Sequence, residues 1–149
     1  MISELTYDFD IDYLNKLYED NLDSVKPFVE MNGNTIEHFY ILKIKDKYLD
    51  QLIEQIGYEA RPRFLLMKKG CTLPYHKDAG TLSAINILLK GDDPIHIEGS
   101  DYHYEMALID VQKQHTVNVT NDRLIFKFSF FDVDYETLKT RLSKINWIS

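Results

Sequence analysis

The sequence predicts a mainly β fold with helices at its N-terminal end (α+β), on three observations. After Arg61-Pro62 the chain breaks into short runs rich in Val, Ile, Leu and Phe, separated by turn signals at near-regular spacing. Before that point apolar residues recur at helical spacing. Late in the chain, Arg123 to Phe130 alternates large apolar residues with polar and cationic ones. Short, evenly spaced strands of this kind build an antiparallel sandwich or barrel.

In chain order, Ile11, Leu14, Leu17 and Tyr18 mark a first helix, with Asp8 and Asp10 as possible caps. Met31-Asn32-Gly33-Asn34 reads as a turn and Phe39 to Ile44 as extended. Tyr48, Leu49, Leu52, Ile53 and Ile56 mark a second helix that Gly57 stops. Strands are expected near 63–69, 72–77, 82–89, 94–98, 102–109, 115–119 and 123–131, punctuated by Lys69-Gly70, Ala79-Gly80, Lys90 to Pro94, Gly99 to Asp101 and Thr120 to Asp122. Tyr135 to Ile145 reads as a last helix or tail. No repeat or linker interrupts 1–149, so one domain is expected: 1–60 as helical cover and first strand, 61–132 as β core, 133–149 as the end piece.

The strand from Arg123 to Phe130 narrows the architecture. Leu124, Phe126, Phe128 and Phe130 share one face; Arg123, Ile125, Lys127 and Ser129 share the other. In a half-exposed strand the second set would meet water. In a jelly roll whose outer face is covered by the helices, it would instead line the barrel mouth and offer cations to an anionic ligand.

Composition bounds the partners. A hydrophobic fraction of 44%, a charged fraction of 28% and a net charge of −7 describe a globular protein that repels phosphate backbones, so nucleic acid is not expected as a general partner. The acidic balance favours neutral or cationic partners. Cys71 is the single cysteine, which rules out an intramolecular disulfide. No apolar run approaches the roughly 20 residues of a membrane span. Met1-Ile2-Ser3-Glu4 does not begin a secretory signal, so no membrane partner and a cytoplasmic location are the expectation.

The chemistry concentrates in Leu73-Pro74-Tyr75-His76-Lys77-Asp78. His76 and Asp78 are two apart on an extended segment and leave it on the same side. His115 follows 37 residues after Asp78 and reaches the same point if the intervening strands fold back. Two imidazoles and one carboxylate are the donor set of a metal triad with an open face, suited to iron(II) and also able to take manganese, zinc or nickel. The competing reading is a surface His-Asp pair and an unrelated strand histidine. His38, His96 and His103 are expected in structural or packing roles, with His96 on a polar strand face and His103 partly buried; from the sequence, His96 and His103 stay open as alternative ligands and His103 as a pocket residue. Arg123, eight residues after His115, is placed to grip a carboxylate, with Lys127 as its substitute. Asn86 and Asn118 are lesser candidates for polar contacts inside the barrel, and each reads first as an ordinary strand residue. Arg61 and Arg63 read mainly as charges flanking Pro62, with a second anion contact as the alternative, and Cys71 reads as a small strand residue.

Lys69-Gly70 before the Leu-Pro-Tyr-His-Lys-Asp segment, the apolar strand Leu82 to Leu89, His115-Thr116-Val117-Asn118, and Arg123 opening a hydrophobic strand together carry a resemblance. The stretch from Arg63 to Asp132 resembles the double-stranded β-helix core of the iron(II)/2-oxoglutarate-dependent oxygenase superfamily. It is most similar to small aspartyl/asparaginyl β-hydroxylase-like and prolyl-hydroxylase-like members. The resemblance implies a cupin-like jelly roll, His76, Asp78 and His115 as the catalytic iron ligands, and Arg123 as the partner of the distal carboxylate of 2-oxoglutarate. It implies a dioxygenase that hydroxylates an amino-acid side chain of a peptide or protein, or a small molecule. Two other functions stay open: a cupin-like metal protein that needs no keto acid, and a non-catalytic jelly-roll binding or structural module.

Overall fold

The molecule is described by a computed structural model covering residues 1–149. Its strands are β1 (Ile2–Glu4), β2 (Lys26–Val29), β3 (Thr35–Lys43), β4 (Arg61–Met67), β5 (Ser83–Lys90), β6 (Ile95–Ile97), β7 (Ser100–Tyr102), β8 (Met106–Ile109), β9 (His115–Val117) and β10 (Arg123–Phe130). The helices are α1 (Ile11–Glu19), α2 (Lys47–Ile56) and α3 (Tyr135–Lys144). No helix is long and apolar enough to cross a membrane.

Each helix begins on an aspartate whose side chain accepts from an otherwise unpaired first-turn amide: Asp10 from Tyr13, Asp46 from Tyr48 and Leu49, Asp134 from Thr137. Gly57, at φ 86°, ends α2 in the left-handed conformation that costs glycine little.

The strands form two antiparallel sheets. The larger runs β1-β8-β5-β10-β4-β3-β2 and the smaller β7-β6-β9. One apolar cluster joins Leu124, Phe126, Phe128 and Phe130 to Leu14, Leu49, Leu52 and Leu138, so the helices cover the outer face of the large sheet. A second cluster joins Leu65, Ala84, Ala107 and Ile125 of that sheet to Ile95, Ile97 and Val117 of the small one. The two sheets therefore face each other across a filled interior, and the fold is a jelly roll with a helical cover.

β10 sits between β5 and β4, and all eight of its residues are buried. Its polar face thus lies inside the barrel, the alternative that the covering helices made available. Phe128 is fully buried and meets Phe126 edge to face, with ring centroids 4.8 Å apart. Phe128→Ala is expected to lower unfolding free energy by about 3–5 kcal/mol in urea denaturation, from lost burial plus the cavity left behind.

Four segments depart from the sequence expectation. Residues 72–77 form no strand; Thr72 and His76 make isolated bridges to Asn118 and His115, with Pro74, which lacks an amide donor, between them. The stretch 102–109 is broken at His103-Tyr104-Glu105, which separates β7 from β8. β1 and β2 carry too little pattern to be read: β1 is three residues long, and β2 contains Pro27 on the sheet edge.

Candidate metal centre

The backbone itself brings the two histidines together. The His76 amide donates to the His115 carbonyl (3.1 Å), and the His115 amide returns the bond to the His76 carbonyl (2.9 Å). Residues paired in this way project their side chains as direct neighbours, and the imidazole centroids lie 4.5 Å apart. Asp78, two residues on, is anchored by its amide to the Val111 carbonyl (3.1 Å). Gln112 ties this loop down, donating through Nε2 to the carbonyls of Asp78 (3.3 Å) and Thr81 (2.5 Å).

The ring orientations follow from hydrogen bonding. His76 Nδ1 lies 2.8 Å from the Pro74 carbonyl, and His115 Nδ1 lies 2.8 Å from the Lys113 carbonyl. A carbonyl only accepts, so both Nδ1 atoms carry protons, and a neutral ring presents a lone pair at Nε2. Those Nε2 atoms lie 3.4 Å (His76) and 3.1 Å (His115) from the same oxygen, Asp78 Oδ1. Electron-pair donors therefore converge on one point, with one ligand atom from each residue and all of them within 4.8 Å of one another. Unless a ring takes a second proton, nothing between them supplies positive charge. Adjacent ligands of a cation with bonds of about 2.1 Å stand about 3 Å apart, so the donor set fits a first-row divalent ion.

The other carboxylate oxygen is engaged. Lys127 Nζ donates to Asp78 Oδ2 at 2.8 Å, from β10 across the barrel. Asp78 is largely buried, which alone would raise its pKa. The Lys127 charge, followed by the bonds that His115 and His76 donate through Nε2 when their rings are protonated, outweighs that burial and holds the carboxyl well below its ordinary range. His76 is pulled above the ordinary imidazole value, mainly by its bond with Asp78 and against the effect of burial.

Beyond Lys127 a polar row continues into the barrel. Asn86 stands opposite Lys127 on β5, and Arg63 opposite it on β4. Asn86 Nδ2 donates to the Tyr104 hydroxyl (3.1 Å), which also accepts from Arg123 Nη2 (3.0 Å). Arg123 is 1% exposed; its Nη1 donates to the Asp93 carbonyl (2.6 Å), while its Nε and the Asn86 Oδ1 are buried without a partner. Gly91, at φ 97°, makes room for Arg123: a side chain there would come within 3.3 Å of the Arg123 Cα.

Of the residues singled out in the sequence, His76, Asp78, His115 and Lys127 thus meet directly, and Asn86 and Arg123 lie deeper along the same interior. Asn118 does not join them. Alternation along β9 turns His115, Val117 and Val119 inward and leaves Asn118 exposed, with its Nδ2 3.3 Å from His96 Nε2. His96 also pairs with Asp101 on that outer side. His103 is exposed rather than partly buried, because the irregular segment points its neighbour Tyr104 inward instead. Cys71 is buried, and burial raises its thiol pKa, which leaves it a packing residue. One interior residue was not foreseen: Tyr104 lies outside any alternating run. Arg63, for which an anion contact was the alternative to a flank charge, sits on the inward face of β4, in register with Lys127.

No protein-family model and no curated protein matches the sequence. Solved structures do match in shape. A prolyl-4-hydroxylase from Pseudomonas putida superposes with a TM-score of 0.59 at 14% identity, over 83% of this chain and 88% of the hydroxylase. An oxidoreductase of the 2OG-Fe(II) oxygenase family from Burkholderia pseudomallei gives a TM-score of 0.59 at 14% identity, over 87% of this chain and 84% of that one. A cupin-2 domain from Rhodospirillum rubrum gives 0.52 at 10% identity, over 74% and 70%. At such identities the likeness is one of fold: a jelly roll shared by cupins and 2-oxoglutarate oxygenases.

Proposed function

We propose that the protein is an iron(II)- and 2-oxoglutarate-dependent oxygenase that hydroxylates its substrate. The observation that carries the reading is the convergence of His76 Nε2, His115 Nε2 and Asp78 Oδ1, with both ring Nδ1 atoms fixed by carbonyls. His76, Asp78 and His115 would hold the metal and leave its opposite positions open. Bound there with a keto acid, iron(II) supplies the means of inserting one oxygen atom of dioxygen into a C–H bond, with release of succinate and carbon dioxide.

The chain's own residues divide the remaining work. Arg123, with the Tyr104 hydroxyl beside it, would grip the distal carboxylate of the keto acid, using the unpartnered Nε in its buried guanidinium. Asn86, whose Oδ1 also lacks a partner, lies between that point and Lys127. Lys127 positions Asp78: by taking Oδ2 it leaves Oδ1 as the single ligand atom. The apolar lining formed by Leu65, Ile125 and Val117 keeps water from the interior.

Lys127→Met is expected to destabilise the metal-free protein by about 1.5–3 kcal/mol, the range for a hydrogen bond to a charged group. A bound divalent cation would then neutralise Asp78 in place of Lys127. The loss should therefore shrink when urea denaturation is repeated with saturating zinc. An equal loss with and without zinc would mean that the ion does not reach Asp78.

A second reading is a cupin-like metal protein that uses no keto acid. It is favoured by the two bonds that Arg123 already makes through its terminal nitrogens, to Asp93 and Tyr104. The test that separates the two is anaerobic titration of iron-loaded protein with 2-oxoglutarate, read by the visible charge-transfer band of a chelated keto acid. Saturable growth of the band supports the oxygenase; iron binding without it supports the cupin-like protein.

A further inference from the structure

The interior carries more positive charge than the proposed cofactors consume. Arg63, Lys127 and Arg123 all project from the inward faces of β4 and β10, and Asp78 is the one carboxylate that meets them. A divalent cation and a dianionic keto acid bring equal and opposite charge, so the surplus persists when both are bound. Buried cationic surplus without a counter-ion is costly, and this one stands in a molecule whose net charge is −7.

The surplus has a definite place. Along β10 the inward order is Arg123, Ile125, Lys127, Ser129, and the opposing order on β4 is Met67, Leu65, Arg63, Arg61. Arg123 is therefore at one end, and Lys127 beside Asp78 lies midway. Arg63 reaches away from Arg123: its Nη2 donates to Ser129 Oγ at 2.8 Å, its only hydrogen bond, and its Nε is buried and unpartnered. Arg63 forms no salt bridge with any carboxylate of the chain, whereas Lys127 is bound to Asp78. At the rim, the Arg61 guanidinium lies 4.6 Å over the Phe131 ring, which is itself partly exposed. A keto acid running from the triad toward Arg123 leaves the Arg63 side free.

We infer that the primary substrate carries a carboxylate, and that Arg63 binds it on the side of the triad opposite Arg123. This rests on the oxygenase reading and specifies its substrate class. A half-buried guanidinium that spends one terminal nitrogen on Ser129 and has no carboxylate partner in the chain matches the planar two-oxygen face of a carboxylate. Ser129 fixes the guanidinium plane, and the Arg61 charge at the rim draws the anion in. The acidic net charge of the chain pointed to neutral or cationic partners; the charge that faces the site has the opposite sign.

The test uses the full protein loaded with manganese(II) and saturated with 2-oxoglutarate. Its probes are N-acetylglycine and its neutral isostere N-acetylglycinamide, read by paramagnetic broadening of the acetyl methyl resonance. The acid is expected to broaden saturably, with an affinity about tenfold or more above that of the amide. In Arg63→Met and Arg63→Gln that preference should vanish, while 2-oxoglutarate affinity, measured separately, stays within about twofold of the parent's. Equal broadening by acid and amide in the parent protein overturns the inference and leaves the oxygenase reading standing. A preference that survives in both Arg63 variants does the same. A parent protein that takes up neither manganese nor keto acid overturns the oxygenase reading and the inference with it.

Discussion

His115→Ala is expected to lower divalent-cation affinity at least about 100-fold, since loss of a direct ligand exceeds the 10–100-fold typical of a supporting residue. His115 is the cleanest of the triad to remove. Its ring is buried and its Nδ1 is committed to the Lys113 carbonyl, so the substitution deletes one fixed Nε2 donor. Removing Asp78 would also strand Lys127, whose Nζ has that carboxylate as its partner, and would confound affinity with stability. Calorimetric titration with manganese(II) measures the loss, and circular dichroism of the variant checks the fold. The same titration on the parent protein should show a pH dependence of definite sign. Asp78 holds a proton on His76 to higher pH than an ordinary imidazole, and the cation needs the neutral ring. Apparent affinity should therefore fall as pH is lowered through that raised pKa, and cation uptake should release protons. Unchanged affinity in His115→Ala would mean that the cation binds elsewhere.

Arg123→Met is expected to weaken 2-oxoglutarate binding about 30-fold or more, with iron affinity little changed. The magnitude follows from truncating one member of a desolvated charge pair, about 2 kcal/mol at the lower bound. Met retains the apolar stem of Arg123 without its charge, so the packing against Gly91 is the part least disturbed. Arg123→Lys should recover part of the affinity, because it restores the charge without the forked geometry. Tyr104→Phe should fall between the parent and Arg123→Met if the hydroxyl shares the carboxylate. Parallel titrations of the keto-acid band measure each variant. A purely structural role for Arg123 would lower stability in all of them without this ordering.

Much of this arrangement was legible in the sequence because it is periodic. The alternation from Arg123 to Phe130 specifies a strand with two unlike faces, and the helical stripes at Leu14 to Tyr18 and Leu49 to Ile56 specify a cover for one of them. Together they turn Lys127 and Arg123 inward, which neither signal specifies alone. The His-x-Asp spacing put His76 and Asp78 on one side, and the return of the chain to His115 came through the bridge between residues 76 and 115. What was not legible is aperiodic. Tyr104 reaches the interior from a break between β7 and β8, where no alternation assigns a direction. The Asp78–Lys127 pair joins residues 49 apart across the barrel, and its partner choice depends on sheet packing. Asn118 stands on the outer side because its phase relative to His115, not its polar chemistry, sets its direction, which leaves it an ordinary strand-end residue. For Arg63 the sequence leaves a flank charge and an anion contact both open, because its phase follows from pairing with β10, which the isolated segment does not reveal.

Anaerobic titration of the metal-free protein with iron(II), then with 2-oxoglutarate, observed in the visible range, decides whether the proposed centre exists. One equivalent of iron is expected to bind through His76, Asp78 and His115, followed by a saturable charge-transfer band that is absent in His115→Ala and strongly weakened in Arg123→Met. A protein that binds neither iron nor keto acid, with its fold intact, would rule that centre out.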